Sequence, residues 1–291
     1  IEKAMGRDLA ALPWMDEPTR RKAEEKLAAV ANKVGHPDRW RDYGPMKVDR
    51  ASFFRNVLEA GRFEVNRQLT KVGKPLDRTE WGMTPPTVNA YYRGSLNEIV
   101  FPAGIMKPPF WNRAAPEPVN YGALGMVVGH ELTHGFDDSG RRYDALGNLA
   151  DWWTPEVSRE FERRASCVAD QFAEYESLPG VKLNGRLTLG ENIADLGGLK
   201  LAHAAMQAAH VGGERAAGFD GEQQFFVGFA QSWCSRYRDE DLRRRAVVDP
   251  HSPARQRVNG PLSNLPSFAA AFQCGEGRPM VRPPARRCEV W

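Results

Sequence analysis

Two imidazoles and a carboxylate share one short run, His130-Glu131-Leu132-Thr133-His134, and two further carboxylates follow at Glu191 and Asp195. Residues four apart lie on one face of a helix, so His130 and His134 can grip a single metal ion. Glu131 would then sit beside the ion, close enough to take a proton from a zinc-bound water whose pKa the metal brings to about 7. Glu191 is the best third ligand, because two His and one Glu leave a fourth position open. Asp195, one turn beyond it, can accept the free ring N–H of a ligating histidine and so fix its tautomer. Asp137 and Asp138 are weaker candidates for the same part. Gly190, Gly197 and Gly198 around the second acidic pair argue for close packing there. The set spells a zinc hydrolase.

Several elements must position these residues. The helix carrying His130 is expected to start near Tyr121, with Leu124, Val127 and Val128 burying one side of it. A second helix is expected from Glu191 to about His210, ended by Gly212-Gly213. Thr154-Pro155-Glu156 marks another helix start, with Thr154 as cap and Pro155 in the first position. Residues 87–92 and 98–101 read as two strands with a turn between them. Asp16 to Val34 has helical spacing at Ala23, Leu27, Val30 and Val34, and a further helical pattern fills residues 48–69. Gln223 to Tyr237 reads as a helix with Phe226, Phe229 and Trp233 on one side, and the Pro- and Arg-rich tail, residues 275–287, reads as irregular. Residues 1–80 read as a helical linking and packing segment, and 81–291 as the domain that holds the chemistry.

Composition excludes other classes. The 291 residues are 42% hydrophobic and 26% charged, an ordinary globular balance, and the net charge of +3 is too small to argue for nucleic acid. No apolar run approaches the length of a membrane span, and no charged leader precedes an apolar block, so no signal peptide is expected in these residues. The cysteines Cys167, Cys234, Cys274 and Cys288 form no Cys-x-x-Cys pair, which argues against zinc-finger and thioredoxin-like readings. Disulfides in any of three connectivities, or buried free thiols, remain open on spacing alone.

Beyond the metal motif, matching segments run in order along nearly the whole chain. They are Trp14-Met15-Asp16, Val88 to Tyr92, Ile99 to Ile105, His130 to Trp153, Gly190 to Gly198, Asp249 to Pro253 with Arg257 to Gly260, and Cys288 to Trp291. On these the chain resembles the neprilysin and endothelin-converting-enzyme family of zinc endopeptidases. The resemblance implies a mainly α-helical, thermolysin-like zinc peptidase (gluzincin) catalytic domain with a small β-sheet. It implies one zinc ion per chain on His130, His134 and Glu191, with Glu131 as general base and Asp195 orienting a ligand histidine.

It also implies that His251 stabilises the oxyanion, where a donor is needed because the attacked carbonyl oxygen gains charge. Arg257 would bind a substrate carbonyl, and Asn89 and Ala90 would hold the substrate backbone along a strand edge. Phe110, Met126, Val127 and Trp233 would form the apolar pocket for the side chain that follows the cleaved bond. The expected activity is hydrolysis of small peptides on the amino side of hydrophobic residues. The expected location is extracytoplasmic, with Cys167 paired to Cys288.

Two departures stand out. Leu196 occupies a position where the family usually has asparagine. Family ectodomains are also more than twice this long, with an N-terminal helical lobe over the cleft, so the chain reads as the C-terminal, catalytic portion and its partners include that lobe. A zinc-binding fragment or peptide-binding module without turnover is the alternative function.

Overall fold

In the computed structural model, which describes residues 1–212 and 214–291, the chain is mainly helical with two small sheets. α1 (Glu2–Ala11) and α2 (Glu17–Ala28) lead into β1 (Ala31–Gly35) and α3 (Phe53–Leu69). β2 (Tyr91–Arg93) and β3 (Glu98–Pro102) follow, then α4 (Glu117–Asn120), a π-helical turn (Tyr121–Gly125) and α5 (Met126–His134). α6 (Pro155–Ala173) precedes β4 (Glu176–Leu178), β5 (Val181–Lys182) and α7 (Leu189–Ala208). The chain closes with α8 (Gly221–Ser232), α9 (Asp239–Val248), α10 (Ala254–Asn264) and α11 (Pro266–Ala271).

Sequence-level caps explain several starts. Asp16 accepts from Thr19 N at 2.9 Å, and Thr154 accepts from Val157 N at 3.3 Å ahead of Pro155, each satisfying a first-turn amide. Asp220 and Gln223 form a reciprocal capping pair at the start of α8. α6 buries Val157, Phe161, Ala165, Val168 and Phe172 in one stripe, the periodicity of an amphipathic helix lying on a core.

Other elements differ from the sequence reading. The helix expected from Asp16 to Val34 ends at Ala28, and residues 31–35 form β1, paired in parallel with β3 from Ala31↔Glu98 to Gly35↔Pro102. A long-range pairing overrode local helical spacing. The helix expected over residues 48–69 starts at Phe53, where Ser52 accepts from Arg55 N. The first strand is shorter than expected, Tyr91–Arg93. The helix expected to reach Tyr237 stops at Ser232. α7 ends at Ala208; of the expected Gly212-Gly213 stop, Gly213 lies outside the described residues.

The three-stranded sheet has the order β1-β3-β2, which leaves β2 as an edge. All of β3 is buried. The centre of the molecule is the crossing of α5 and α7, where the backbones nearly touch: a Cβ on Gly129 would stand 2.7 Å from Gly198 O, and one on Gly198 would stand 2.5 Å from His130 N. Only glycine at both positions lets the helices come this close. Around the crossing, Trp14, Trp153, Phe161 and the terminal Trp291 interlock, with ring centroids 5.3–6.4 Å apart. The Cys167–Cys288 disulfide joins α6 to the tail that delivers Trp291. Cys234 and Cys274 are free. α3 is different: it buries none of its residues and leaves Phe53, Phe54, Val57, Leu58, Val65 and Leu69 exposed.

Candidate active site

The α5–α7 crossing brings His130, His134 and Glu191 to one point. His130 and His134 lie one turn apart on α5, and Glu191 lies in the first turn of α7, where the helix dipole favours a carboxylate. His130 Nε2 is 3.0 Å from His134 Nε2 and 3.3 Å from Glu191 Oε2, and His134 Nε2 is 3.5 Å from Glu191 Oε1. Tetrahedral zinc with ligands at about 2.0–2.1 Å needs ligand atoms about 3.3–3.4 Å apart. The three separations bracket that value. Glu191 Oε2 is also buried without a hydrogen-bond partner, as an oxygen meant for a cation would be. The donor set fits zinc.

Two further carboxylates lie against the histidine rings. His134 Nδ1 is 2.6 Å from Asp137 Oδ2, so Asp137, read as a weaker candidate, makes a closer contact to its ring than Asp195 makes to His130. His130 Nδ1 is 2.8 Å from Asp195 Oδ1, within reach but off the ring N–H axis. Asp138 makes no such contact to a ligand ring. Burial works against charged imidazoles here, yet Asp137 and Glu191 outweigh it and hold His134 well above its ordinary pKa; Asp195 and Glu191 do the same for His130. Burial would equally raise Glu191, but the two rings hold it far below the usual carboxylate range.

Glu131 is buried beside the ligands, and loss of water raises its pKa above the usual carboxylate value. A raised value suits a group that must first accept and later release a proton near neutral pH. Arg257, on α10, is buried. Its Nε and Nη2 donate to Asp195 at 2.7 and 2.6 Å, and its guanidinium lies 4.0 Å over the Trp233 ring. Arg257 outweighs burial at Asp195 and holds that carboxyl below its ordinary value. Nη1 is the nitrogen this pairing leaves over.

His251 is half exposed at the rim. Asp249 Oδ1 takes its Nδ1 at 2.9 Å and its backbone N–H at 2.9 Å, which turns Nε2 inward to 3.3 Å from Glu191 Oε2. Ser252 Oγ donates to Asn192 Oδ1 at 2.8 Å, tying the His251 loop to α7. Asp249, Asn192 and Ser252 were given no part by the sequence reading. Asp249 is two residues from His251, the spacing of an Asx turn, and that signal could have found it.

His130, Glu131, His134, Asp137, Glu191, His251 and Arg257 line one cleft of about 590 Å³, together with Asn89, Ala90, Phe110, Met126, Val127 and Trp233. Asn89 is exposed and Ala90 buried at the entry to β2, an edge strand of the sheet. Leu196, the departure from the family pattern, is buried on α7 and packs in the core.

Fold and site together define a candidate metal centre of the His-Glu-x-x-His type, with a glutamate from a second helix as its third donor. Residues 89–288 match Peptidase family M13, and the chain belongs to that family. It is 43% identical over its whole length to an endothelin-converting enzyme homolog of Locusta migratoria, covering 41% of that protein. It is 44% identical to endothelin-converting enzyme 1 of Homo sapiens, covering 39%. Among solved structures, the Mycobacterium tuberculosis zinc metalloprotease Zmp1 bound to an inhibitor superposes with a TM-score of 0.95 at 40% identity, over all of this chain and 45% of that one. PepO from Lactobacillus rhamnosis gives 0.88 at 33%, over 100% and 45%. The chain thus spans less than half the length of these relatives.

Proposed function

We propose that the chain is the catalytic portion of a zinc endopeptidase that cuts small peptides on the amino side of hydrophobic residues. The observation that carries the reading is the 3.0, 3.3 and 3.5 Å triangle of His130, His134 and Glu191 atoms beside buried Glu131. A zinc ion on these three residues would supply Lewis acidity to the attacked carbonyl and to water near neutral pH. Glu131 takes a proton from the attacking water and later passes it to the leaving amine. His251 Nε2 donates to the oxyanion, and Asp249 on Nδ1 keeps the ring turned that way. Arg257 Nη1 holds a substrate carbonyl, and Asp195 fixes both that guanidinium and the His130 ring.

The peptide lies along the sheet edge formed by β2, held by Asn89 and Ala90, as an added strand recognised through main-chain groups. Phe110, Met126, Val127 and Trp233 receive the hydrophobic side chain after the cleaved bond. Residues 1–80 act as a linking and packing segment and 81–291 as the catalytic domain, with α1 and α2 packed into its core. The exposed apolar face of α3 supports contact with a further lobe of a longer protein. The Cys167–Cys288 disulfide supports an extracytoplasmic setting. Among the described residues no helix is long and apolar enough to cross a membrane.

The test is a set of short peptides differing only in the residue after the scissile bond, incubated with zinc-loaded protein. Cleavage before Phe or Leu, with kcat/KM at least tenfold below that for Gly or Asp at the same place, would refute the specificity. One zinc bound per chain with no cleavage of any peptide would favour the non-catalytic reading instead.

A further inference from the structure

Lys26 has no exposed surface. α2 delivers its side chain into the loop after α5, where the ammonium donates to Gly135 O at 2.6 Å, Gly140 O at 2.7 Å and Tyr143 O at 2.6 Å. All three N–H groups are used. The rings of Tyr92, Phe136 and Trp152 surround it with centroids at 5.8, 5.3 and 5.8 Å. No carboxylate among the described residues forms a salt bridge with it, and desolvation pushes its pKa down to about 7. An unpaired buried cation is costly, so an apolar side chain would fill this space better unless the carbonyls need a donor.

What those carbonyls belong to gives the reason. Gly140 accepts from Lys26 through its oxygen and donates through its N–H to Asp137 Oδ1 at 2.6 Å. Ser139 N donates to the same oxygen at 2.9 Å. The other oxygen of Asp137 is the one 2.6 Å from His134 Nδ1. The turn closes directly on the end of α5: a Cβ on Gly140 would fall 1.7 Å from His134 O. A cation at this helix C-terminus also complements the helix dipole. An unbroken chain of contacts therefore runs from Lys26 through Gly140 and Asp137 to His134.

We propose that Lys26 is a positioning residue for the metal centre: by gathering the carbonyls of Gly135, Gly140 and Tyr143 it closes the loop that aims Asp137 at His134. This assignment rests on the metal-binding reading above. Lys26 touches neither metal nor substrate and acts only through Asp137.

The experiment is a double-mutant cycle on zinc affinity, read by chelator competition for wild type, Lys26→Met, Asp137→Asn and the double variant. Unfolding midpoints of the zinc-free forms are measured alongside. Each single variant is expected to weaken zinc binding by about tenfold or more, and the double to match Asp137→Asn within about twofold. Unchanged zinc affinity in Lys26→Met with a lowered midpoint overturns the assignment, as do effects that multiply in the double variant. If Lys26→Met does not fold, Lys26→Gln, which keeps two of the three donors, enters the same cycle. Failure of both to fold overturns the assignment, because Lys26 then serves the whole fold. A wild-type chain that binds no zinc overturns the metal-binding reading and this assignment together.

Discussion

Asp195 Oδ1 is shared between two partners: Arg257 Nη2 lies 2.6 Å away and His130 Nδ1 2.8 Å away. One buried carboxylate oxygen thus couples the residue proposed to hold the substrate to a residue proposed to hold the metal. Because Arg257 spends two of its nitrogens on Asp195, only its planar fork can support the carboxylate and still reach the cleft.

Arg257→Lys is therefore not conservative. A single ammonium cannot span both oxygens, and Asp195, with no exposed surface, is left partly unpaired. We expect kcat/KM to fall by roughly 10–100-fold and stability by about 1–3 kcal/mol, the cost of an under-satisfied buried charged group. Steady-state kinetics and urea unfolding check both numbers, and wild-type values in each would remove Arg257 from the account.

The legible part of the site was local. His130, Glu131 and His134 follow from helical spacing, and Glu191 with Asp195 from the next helix, because four-residue periodicity is a property of the chain itself. Lys26 was not legible. Its neighbours Glu24 and Glu25 are exposed, and only the loop folding back from residues 135–143, distant in sequence, turns an ordinary helix lysine into a buried one. β1 was missed for the same reason, since its partner lies in β3. Asp137 was undervalued because it lies beyond the end of α5, where periodicity no longer says which way a side chain turns. Pro261 inside α10 and the polar sequence of α9 hid the helices that carry Arg257 and approach His251.

The pH dependence of zinc stabilisation has a definite sign. His134 is held above its ordinary pKa in the metal-free protein. Its protonated form contributes stability that is complete below the unfolded value of about 6.5 and is lost as pH rises through the higher folded value. Glu191, held far below its ordinary value, contributes above about 4.5 and is constant through the neutral range. Zinc needs neutral rings, so its binding tightens as pH rises. The gap in Tm between zinc-loaded and metal-free protein should widen from about pH 6 to about pH 8. Paired thermal melts across that range check it, and a constant or narrowing gap would show that His134 does not bind the ion.

Several contacts hold the tail, among them the Cys288–Cys167 disulfide and Trp291 in the aromatic cluster. Cys288 N also donates to Asn264 Oδ1 at 2.8 Å. Replacing both bonded cysteines with serine should lower stability by about 2–5 kcal/mol. Equilibrium denaturation of that double variant gives the figure, and wild-type protein with reductant should shift to the same midpoint. A midpoint that does not move would mean that the noncovalent contacts of Asn264 and Trp291 hold the tail without the disulfide.

Glu131→Gln addresses the central claim most directly, because the amide keeps the size of the side chain and removes only its basicity. Zinc affinity and hydrolysis of a short peptide are measured together on the purified variant. The account predicts zinc binding within a few-fold of wild type and hydrolysis reduced by about 10²–10⁴-fold, the usual worth of a positioned general base. Hydrolysis near the wild-type rate, with zinc bound, would contradict it.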